Sequence, residues 1–549
     1  MPEDALRYVG DCGMSDPGSG YVDEAAMLAR FSDRVALASP YTRPTQFYSA
    51  GKTSARLPAG PATIKVYRGS EHRVSVNTVE IPDGATVRHE VLLTRWVDMP
   101  GAGWYSADDH LHIARPTPEL NPVVSKVMQA EDIHVANLLQ MGKVKDFTIA
   151  EQYAHGPDGH YQEGNYILAA AQENPRTHFL GHTITLGAAR SHHDPDKYLI
   201  YRLQWQATVK EGALNGFAHA AWPHGSLLDP RDGMAVVAPH DLMHFVEVLQ
   251  FDRSGYEQWY ELLTLGFRLA PTAGTDYPCG GQSISGHERF YTKVDGQLTY
   301  AKWLDGVRQG RTFVTTGPVV EFGIEGEDIG SEITLEAAST VEVVGAVTFN
   351  PERDHVAFLE LIHNGEVTDR FSRVAGSSRI DFKVSRFVDE SSWFAVRGYG
   401  VRLDENPFAD PIMFSALEPT AHLHTAPIYV ALKHRPGIEK GERAKGIART
   451  FFSRLEDLER LLADDNAEFL APGLENPNFD AVPRETFLNN RPDLLEEIRV
   501  AKEFFSALSE SAQFAKRVQR RTAVGGQTTA VIQSTSQTGS VTSLSPYGA

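Results

Sequence analysis

The sequence predicts an α/β protein in which a central strand–helix segment is flanked by β-rich segments and followed by helices. Three observations carry this. Between Trp104 and about Gly317, short apolar runs alternate with helical patterns, as parallel strands joined by crossover helices do. On either side, from Ala55 to Asp98 and from Pro318 to about Leu432, the texture is short alternating runs broken by turn residues. Beyond residue 439 the apolar residues fall at helical spacing. At 549 residues the chain is too long for one core, and these changes divide it at 1–100, 101–317, 318–435, 436–521 and 522–549.

Taken in order, residues 1 to about 50 hold one short helix-like patch, Glu24–Arg30. Thr63–Tyr67, Arg73–Asn77 and Thr86–Leu93 are separated by Arg68-Gly69-Ser70 and Pro82-Asp83-Gly84, and are expected to form a small antiparallel β-sandwich. In the central segment a strand enters at Trp104. Further strands are expected at Ile133–Leu139, Phe179–Leu186, Asn215–His219, His244–Leu249 and Arg268–Ala273. Helices are expected at Val124–Ala130, Tyr198–Val209, Tyr256–Thr264 and Tyr300–Arg308. Such alternation makes either a barrel or a doubly wound sheet. After Gly317-Pro318, strands follow at Val341–Val344, Phe358–Ile362 and Ile380–Val384, with Asn364-Gly365 as a hairpin turn. Phe451–Leu462 and Leu494–Val518 read as helices. The tail from Thr522 is rich in Ser, Thr, Gln and Gly and is expected to be disordered.

Composition narrows the partners. Hydrophobic residues at 42% and charged residues at 22% are those of an ordinary globular protein. A net charge of -19 opposes broad binding to nucleic acid or to an anionic membrane. Cys12 and Cys279 are too few for a disulfide framework. The N-terminus lacks the basic and apolar regions of a signal peptide, and no stretch has the apolar length of a membrane span. These features suggest a cytoplasmic protein acting on a small molecule, as a monomer or a homo-oligomer. Neither a Gly-x-Ser-x-Gly elbow, a Walker loop nor a Gly-x-Gly-x-x-Gly run is present.

The histidines carry the chemistry. His110 and His112 lie two apart at the end of the Trp104 strand, so alternation sets both imidazoles on one face. Two neutral imidazoles so placed can bind a divalent cation, although a solvent-facing strand edge would present the same pair. Downstream, Glu131, Glu173, His182, His219 and Asp276 recur beside expected element ends. In a parallel barrel, residues at the C-terminal ends of strands converge on one mouth. Imidazoles there fill terminal positions while carboxylates bridge cations. Ordinary alternatives stand beside each: Glu131 as a helix-end carboxylate, Glu173 as a solvent-facing residue before a turn. Glu247 reads better as a barrel-wall carboxylate paired with an arginine than as a ligand. His224, in Ala221-Trp-Pro-His-Gly225, is read as a donor behind the ligands, a proton shuttle or a surface residue, in that order. Trp104, Trp222 and Tyr277 flank the candidates and either wall an apolar slot or simply pack under the loops, and Cys279 is read as a bystander.

The ordered run Gly103-Trp-Tyr-Ser-Ala-Asp-Asp-His-Leu-His112, Gln129-Ala-Glu-Asp132, Gln172-Glu-Asn-Pro-Arg176 with Gly181-His182, and Gly274-Thr-Asp276 resembles one family. It continues through Trp303–Thr312, Thr316-Gly-Pro318, Asn364-Gly365 and His424–Tyr429. The resemblance is to the CehA/McbA-type metallohydrolases, a branch related to the PHP (polymerase and histidinol phosphatase) barrels, and covers roughly residues 60 to 435. It implies a distorted (β/α)7 PHP-like barrel with divalent metals at its mouth and β-sandwich-like domains on either side. It also implies cleavage of an ester, carbamate or amide bond. Two departures from PHP proteins proper reduce the ligand set. Leu138-Leu-Gln-Met141 replaces a Thr-Asp-His, and Asp276 is followed by Tyr277-Pro278 in place of an Asp-x-His.

The expected cofactor is therefore one or two divalent ions, Zn²⁺ first and Mn²⁺ as the alternative. The expected metal ligands are His110, His112, Glu131, Glu173, His182, His219 and Asp276. Asp276 would also relay the proton from an activated water, and His224 would donate to the leaving group or oxyanion. The substrate would be small and aryl or apolar. A PHP-type phosphoesterase is the alternative enzyme, and a non-catalytic metal-containing module that binds a glycan or protein is the alternative of another class. Because the tail buries little apolar area, a chain ending at Arg521 is expected to keep the melting temperature and solubility of the full chain. A drop in either would show that the tail docks.

Overall fold

The computed structural model describes residues 6–9, 34–38, 48–49, 51–222, 230–277, 285–402, 420–434, 441–463 and 482–510. The patch at Glu24–Arg30, both cysteines, His224 and the tail from Thr522 lie outside the described residues.

Strand β1 (Trp104–Leu111) is buried along its whole length. Strand β2 (Val135–Lys143) runs parallel to it, and β3 (Tyr166–Thr177) parallel to β2. Then β4 (Gly181–Leu186) turns back antiparallel to β3, and β5 (Leu214–Phe217) is antiparallel to β4. Strands β6 (Phe245–Gln250) and β7 (Ala270–Ala273) follow in parallel. Just past β7, Tyr277 bridges to Leu111 and its carbonyl accepts the His112 N–H at 2.8 Å, so the sheet returns to β1 and closes. Among β1–β7 every strand but β4 runs the same way, so most of these strand ends still converge on one face of the sheet.

Helices fill most of the connections. Helix α1 (Asn121–Ala130) starts with Pro122 in its first turn, where the missing N–H costs nothing. Its buried Val123, Val124, Val127 and Met128 pack against Leu111, Ile133, Leu138 and Leu168. Each such fully buried side chain contributes about 1.5–3 kcal/mol relative to exposure. Helices α2 (Tyr201–Lys210), α3 (Arg231–Val237), α4 (Tyr256–Thr264) and α5 (Tyr300–Arg308) cover the other strands. The expected strict alternation fails at one place. Strand β3 was not expected, because Ile167–Ala171 is a short apolar run without β-branched residues beyond Ile167, and it joins β4 without a helix.

The β-rich C-terminal segment is continuous with this sheet. Strands β8 (Arg289–Lys293) and β9 (Thr312–Thr315) extend it from β1, and β9 pairs with Thr420–Thr425. Val319–Ile324, Ser339–Thr348 and Arg379–Val388 form a second sheet. Its Val341, Val343 and Val347 pack on Val356, Leu359 and Val396 of the first, in a core that also takes in Trp104, Tyr291 and Phe313. Asn364 and Gly365 have φ of 49° and 85°, the two positive values of a type I′ turn, between Asp354–His363 and Glu366–Ser372.

The N-terminal expectation is corrected. Gly60–Val66 and Ser75–Ile81 pair as a two-stranded ribbon whose burial alternates between half-buried and exposed. Thr86–Leu93 forms no strand, and Leu92 is 90% exposed. With no second sheet paired to it among the described residues, the ribbon is not the expected sandwich. Leu6–Val9, Arg34–Ala38 and Tyr48–Ser49 form a separate three-stranded sheet in a stretch where only a helix-like patch is expected.

Helices α6 (Glu442–Ala463) and α7 (Arg484–Glu510) join the apolar core of the central sheet through Phe451, Leu455, Leu458, Ile498 and Phe505. No helix among the described residues is long and apolar enough to cross a membrane. Glu497 anchors the pair: it accepts from Arg202 at 2.9 Å and faces His240 Nε2 at 2.7 Å. Burial would raise its pKa, but the hydrogen bonds from His240 and Arg202 hold it below the usual value. A depressed carboxylate stabilises the fold above its unfolded pKa and stops doing so as pH falls through the folded one. E497A is therefore expected to lower stability by about 2 kcal/mol at pH 7, and the difference from wild type should shrink below about pH 4.5. Thermal melting across pH checks this; a pH-independent difference would assign the effect to packing.

Candidate metal centre

Alternation places the β1 donors as expected. His110 lies in β1 and His112 just past it, with rings 5.1 Å apart. Glu173 comes from the irregular part of β3, where register shifts between Glu173 and Arg176 against β4. His182 is in β4, His219 follows β5 and Asp276 follows β7. His219 and Asp276 have φ of 61° and 53°, left-handed values that a non-glycine residue adopts at some cost. Gly274 is required by close packing: a Cβ there would sit 2.4 Å from the His110 Cβ and 2.7 Å from Glu247 Oε1.

The imidazole orientations are the main finding. His112 Nδ1 is 3.1 Å from the Leu139 carbonyl, which can only accept, so Nδ1 carries the proton. His219 Nδ1 donates to Gln250 Oε1 at 2.7 Å, and His110 Nδ1 to Glu247 at 3.1 Å. All three rings thus turn an Nε2 lone pair inward. His110 Nε2 is buried and has no hydrogen-bond partner among the described residues. His112 Nε2 is 3.1 Å from Asp276 Oδ1 and 3.4 Å from Glu173 Oε2; His110 Nε2 is 3.5 Å from Asp276 Oδ1. Ligands about 2.0–2.2 Å from a shared tetrahedral cation lie about 3–3.5 Å from one another, so these donors fit one. The other Glu173 oxygen faces His182 Nδ1 at 2.6 Å and His219 Nε2 at 3.5 Å. Glu173 therefore stands between two donor groups, as a carboxylate bridging two cations must.

Charge is sorted within the cluster. Burial would raise the Glu173 pKa, but Arg176, 2.8 Å away, and His182 hold it well below the usual range. Asp276 is likewise held down, against burial, by His110 and His112. Burial pushes Glu247 up to about 8 and Asp108 to about 6, and lowers His110. Neutral imidazoles with ionised carboxylates are the states in which these groups bind metal.

One expected ligand, Glu131, is in none of the donor clusters formed by the described residues. Glu131 follows α1 and precedes β2, at the end of the barrel where strands begin. A helix-end residue in such a unit lies opposite the residues that leave strands. It is buried beside Arg289. His224 lies outside the described residues. Conversely, Glu247 matters more than its apolar strand context suggests. It comes within 4.8 Å of His110 and His219, yet its oxygens meet the outward-facing His110 Nδ1 and the His219 backbone N–H. It orients the His110 imidazole and holds the His219 backbone, and no arginine is involved in those contacts. Gln250 and Asp108 were also not singled out. Asp108 accepts from Thr275 Oγ1 at 2.6 Å and Gly286 N at 2.9 Å, fixing the loop that carries Asp276. The only sequence signal for Glu247 and Gln250 is a polar side chain inside an apolar strand, which many satisfied core residues share.

No family model matches the chain, and no curated protein matches it. Among solved structures it is similar to a two-domain protein from Bacteroides vulgatus containing a predicted PHP-like metal-dependent phosphoesterase. The likeness covers 62% of this chain and 100% of that chain, with 12% identity and a TM-score of 0.31. A likeness this weak leaves the chemistry to the site's own atoms.

Glu131 offers a contrast test. E131Q is expected to keep the wild-type metal content, whereas H112Q loses metal; loss in both would bring Glu131 back among the ligands. Burial raises Glu131 to about 7, so its charged form weakens the fold as pH rises from about 4.5 to 7. E131Q should therefore gain stability relative to wild type over that window, by about 3 kcal/mol at most.

Proposed function

We propose that this chain is a divalent-metal-dependent hydrolase. The observation that carries the reading is the three imidazoles whose Nδ1 atoms are tied outward while their Nε2 atoms face Glu173 and Asp276. His110, His112 and Asp276 would hold one ion, His182 and His219 a second, and Glu173 would bridge them. Zn²⁺ suits the imidazole-rich set, and Mn²⁺ its carboxylates. When bound, such an ion supplies Lewis acidity toward a carbonyl or phosphoryl oxygen and acidifies water.

The chain's own residues supply the rest. Asp276 is the most exposed donor, at 17% of its side chain. Against burial, His110 and His112 hold its carboxylate ionised, the form in which it would take a proton from an acidified water. Glu247, Gln250 and the Leu139 carbonyl keep the imidazoles from turning. The preferred substrate is a small ester, carbamate or amide, the bond class that the sequence resemblance implies. A phosphoester is the second reading. It is favoured by Arg176, a cation set directly against Glu173, since a guanidinium suits phosphate.

Turnover of p-nitrophenyl acetate, an aryl methylcarbamate and p-nitrophenyl phosphate after Zn²⁺ or Mn²⁺ loading separates the two. Bound metal with no turnover of any would favour a binding module. D276N is expected to lower kcat by about 10²- to 10⁴-fold. Metal content is measured on the same sample, and near-normal turnover at full occupancy would remove Asp276 from the proton relay.

A further inference from the structure

We propose that Arg253 is a specificity residue at the rim of the metal centre, where its guanidinium takes an oxyanion group, carboxylate or phosphate, carried by the substrate. The assignment rests on the chain being the hydrolase proposed, and it names the group by which the substrate is selected. Arg253 opens a short strand, Arg253–Ser254, that folds back antiparallel on the end of β6 with Gln250 directly opposite it. Directly opposed residues of an antiparallel pair put their side chains on one face. Gln250 uses that face to accept the His219 Nδ1–H at 2.7 Å, so Arg253 emerges on the side of the sheet that carries the centre.

The hairpin is fixed against the loop that leaves His219. Phe251 and Asp252 both take φ of 54°, the pair of left-handed values that a two-residue type I′ turn requires. The Asp252 N–H donates to Glu288 Oε1 at 2.7 Å and anchors that turn. Just beyond the short strand, a Cβ at Gly255 would collide with the Ala220 carbonyl, so the two segments touch backbone to backbone. The Trp222 N–H bonds the His219 carbonyl at 2.9 Å and so curls the loop toward the hairpin. There the Arg253 guanidinium carbon stands 5.4 Å from the Trp222 ring centroid.

The guanidinium thus has a support but no counter-charge. Arg253 is half-buried, and its Nε is buried with no hydrogen-bond partner among the described residues. Of its three nitrogens only Nε is both buried and unpaired, so the terminal pair is open to solvent. Acids close to it in the chain are engaged elsewhere: Asp252 Oδ1 lies 3.2 Å from His287 Nε2, and Glu247 holds His110 and the His219 N–H. Arg176, by contrast, is set on Glu173 at 2.8 Å. A cation that loses part of its water without gaining an acceptor is destabilising until a ligand supplies one. Packing over an indole occupies one face of a guanidinium and leaves its N–H edges free in the plane. In that geometry arginine takes a carboxylate or phosphate by paired hydrogen bonds.

The test compares p-nitrophenyl acetate with its carboxylate-bearing counterpart, the p-nitrophenyl monoester of succinate, and with p-nitrophenyl phosphate, on the metal-loaded full chain. The readout is the ratio of kcat/KM for each anionic ester to kcat/KM for the acetate. R253Q should lower that ratio by about 10- to 100-fold, the loss of one charge-assisted contact, and mainly through KM. A fall for the succinate ester identifies a carboxylate as the group recognised, and a fall for the phosphate ester a phosphate. R253K, which keeps the charge but not the planar fork, should lie between wild type and R253Q. Unchanged ratios for both anionic esters in R253Q would overturn the proposal. Where wild type turns over none of the three, or R253Q does not fold, modification of wild-type Arg253 by phenylglyoxal decides, mapped by mass spectrometry. Succinate or inorganic phosphate should slow the modification while chloride at equal ionic strength does not, and no protection by either would overturn the anion site. Protection without turnover of any ester would uphold this site while overturning the hydrolase.

Discussion

Glu173 is the residue on which the arrangement turns. Its two oxygens face His110 and His112 on one side and His182 and His219 on the other, and Arg176 binds it from within the same strand. A carboxylate so deeply buried is costly unless it is both hydrogen-bonded and neutralised by charge. The strands that surround it are constrained accordingly. β3 must break register after Glu173 so that Glu173 and Arg176 meet, and β4 must run backwards beside it to deliver His182. The reversed strand therefore follows from the centre as much as from the chain's route through the sheet.

Around Glu173, rigidity comes from atoms that never face the centre. The outward nitrogens of His110, His112 and His219 are held by Glu247, the Leu139 carbonyl and Gln250. Asp108 joins β1 to Thr275 and Gly286, and the absence of a side chain at Gly274 lets β1 approach the Asp276 loop. The left-handed backbones at His219 and Asp276 persist because these contacts over-determine them. Preorganisation of this kind lets donor atoms wait at ligand spacing instead of collapsing into ordinary hydrogen bonds.

Parts of this were legible in the sequence for a physical reason. His110 and His112 were visible because strand alternation has a period of two, and His182, His219 and Asp276 because they stand beside small residues near strand ends. Glu173 was singled out without its strand, since Tyr166–Thr177 lacks the β-branched pattern and contains Pro175. Glu131 misled because proximity in sequence to a strand does not say which end of that strand a residue lies at. Glu247 and Gln250 were underread because orienting contacts depend on ring orientation, which no spacing rule encodes. The N-terminal ribbon shows the limit of alternation itself: two short strands were foreseen, but whether a second sheet covers them depends on distant residues.

The pKa directions add a last constraint. One small volume holds Asp108, Asp109, Glu173, Glu247 and Asp276, and they are not equivalent. Burial, with Glu247 nearby, pushes Asp109 far up; burial also raises Asp108 and Glu247, so these three are the ones that can be neutral at moderate pH. Against the same burial, Arg176 and His182 hold Glu173 down, and His110 and His112 hold Asp276 down. The carboxyls that the geometry aims at the imidazole Nε2 atoms are thus the ionised ones, while those that support the scaffold carry the raised values. Environments that drive like groups apart in pKa are how a site assigns them different tasks. A structural ion-pair network could also shift these groups, but it would have no need to turn three imidazole lone pairs toward the two carboxylates it keeps charged.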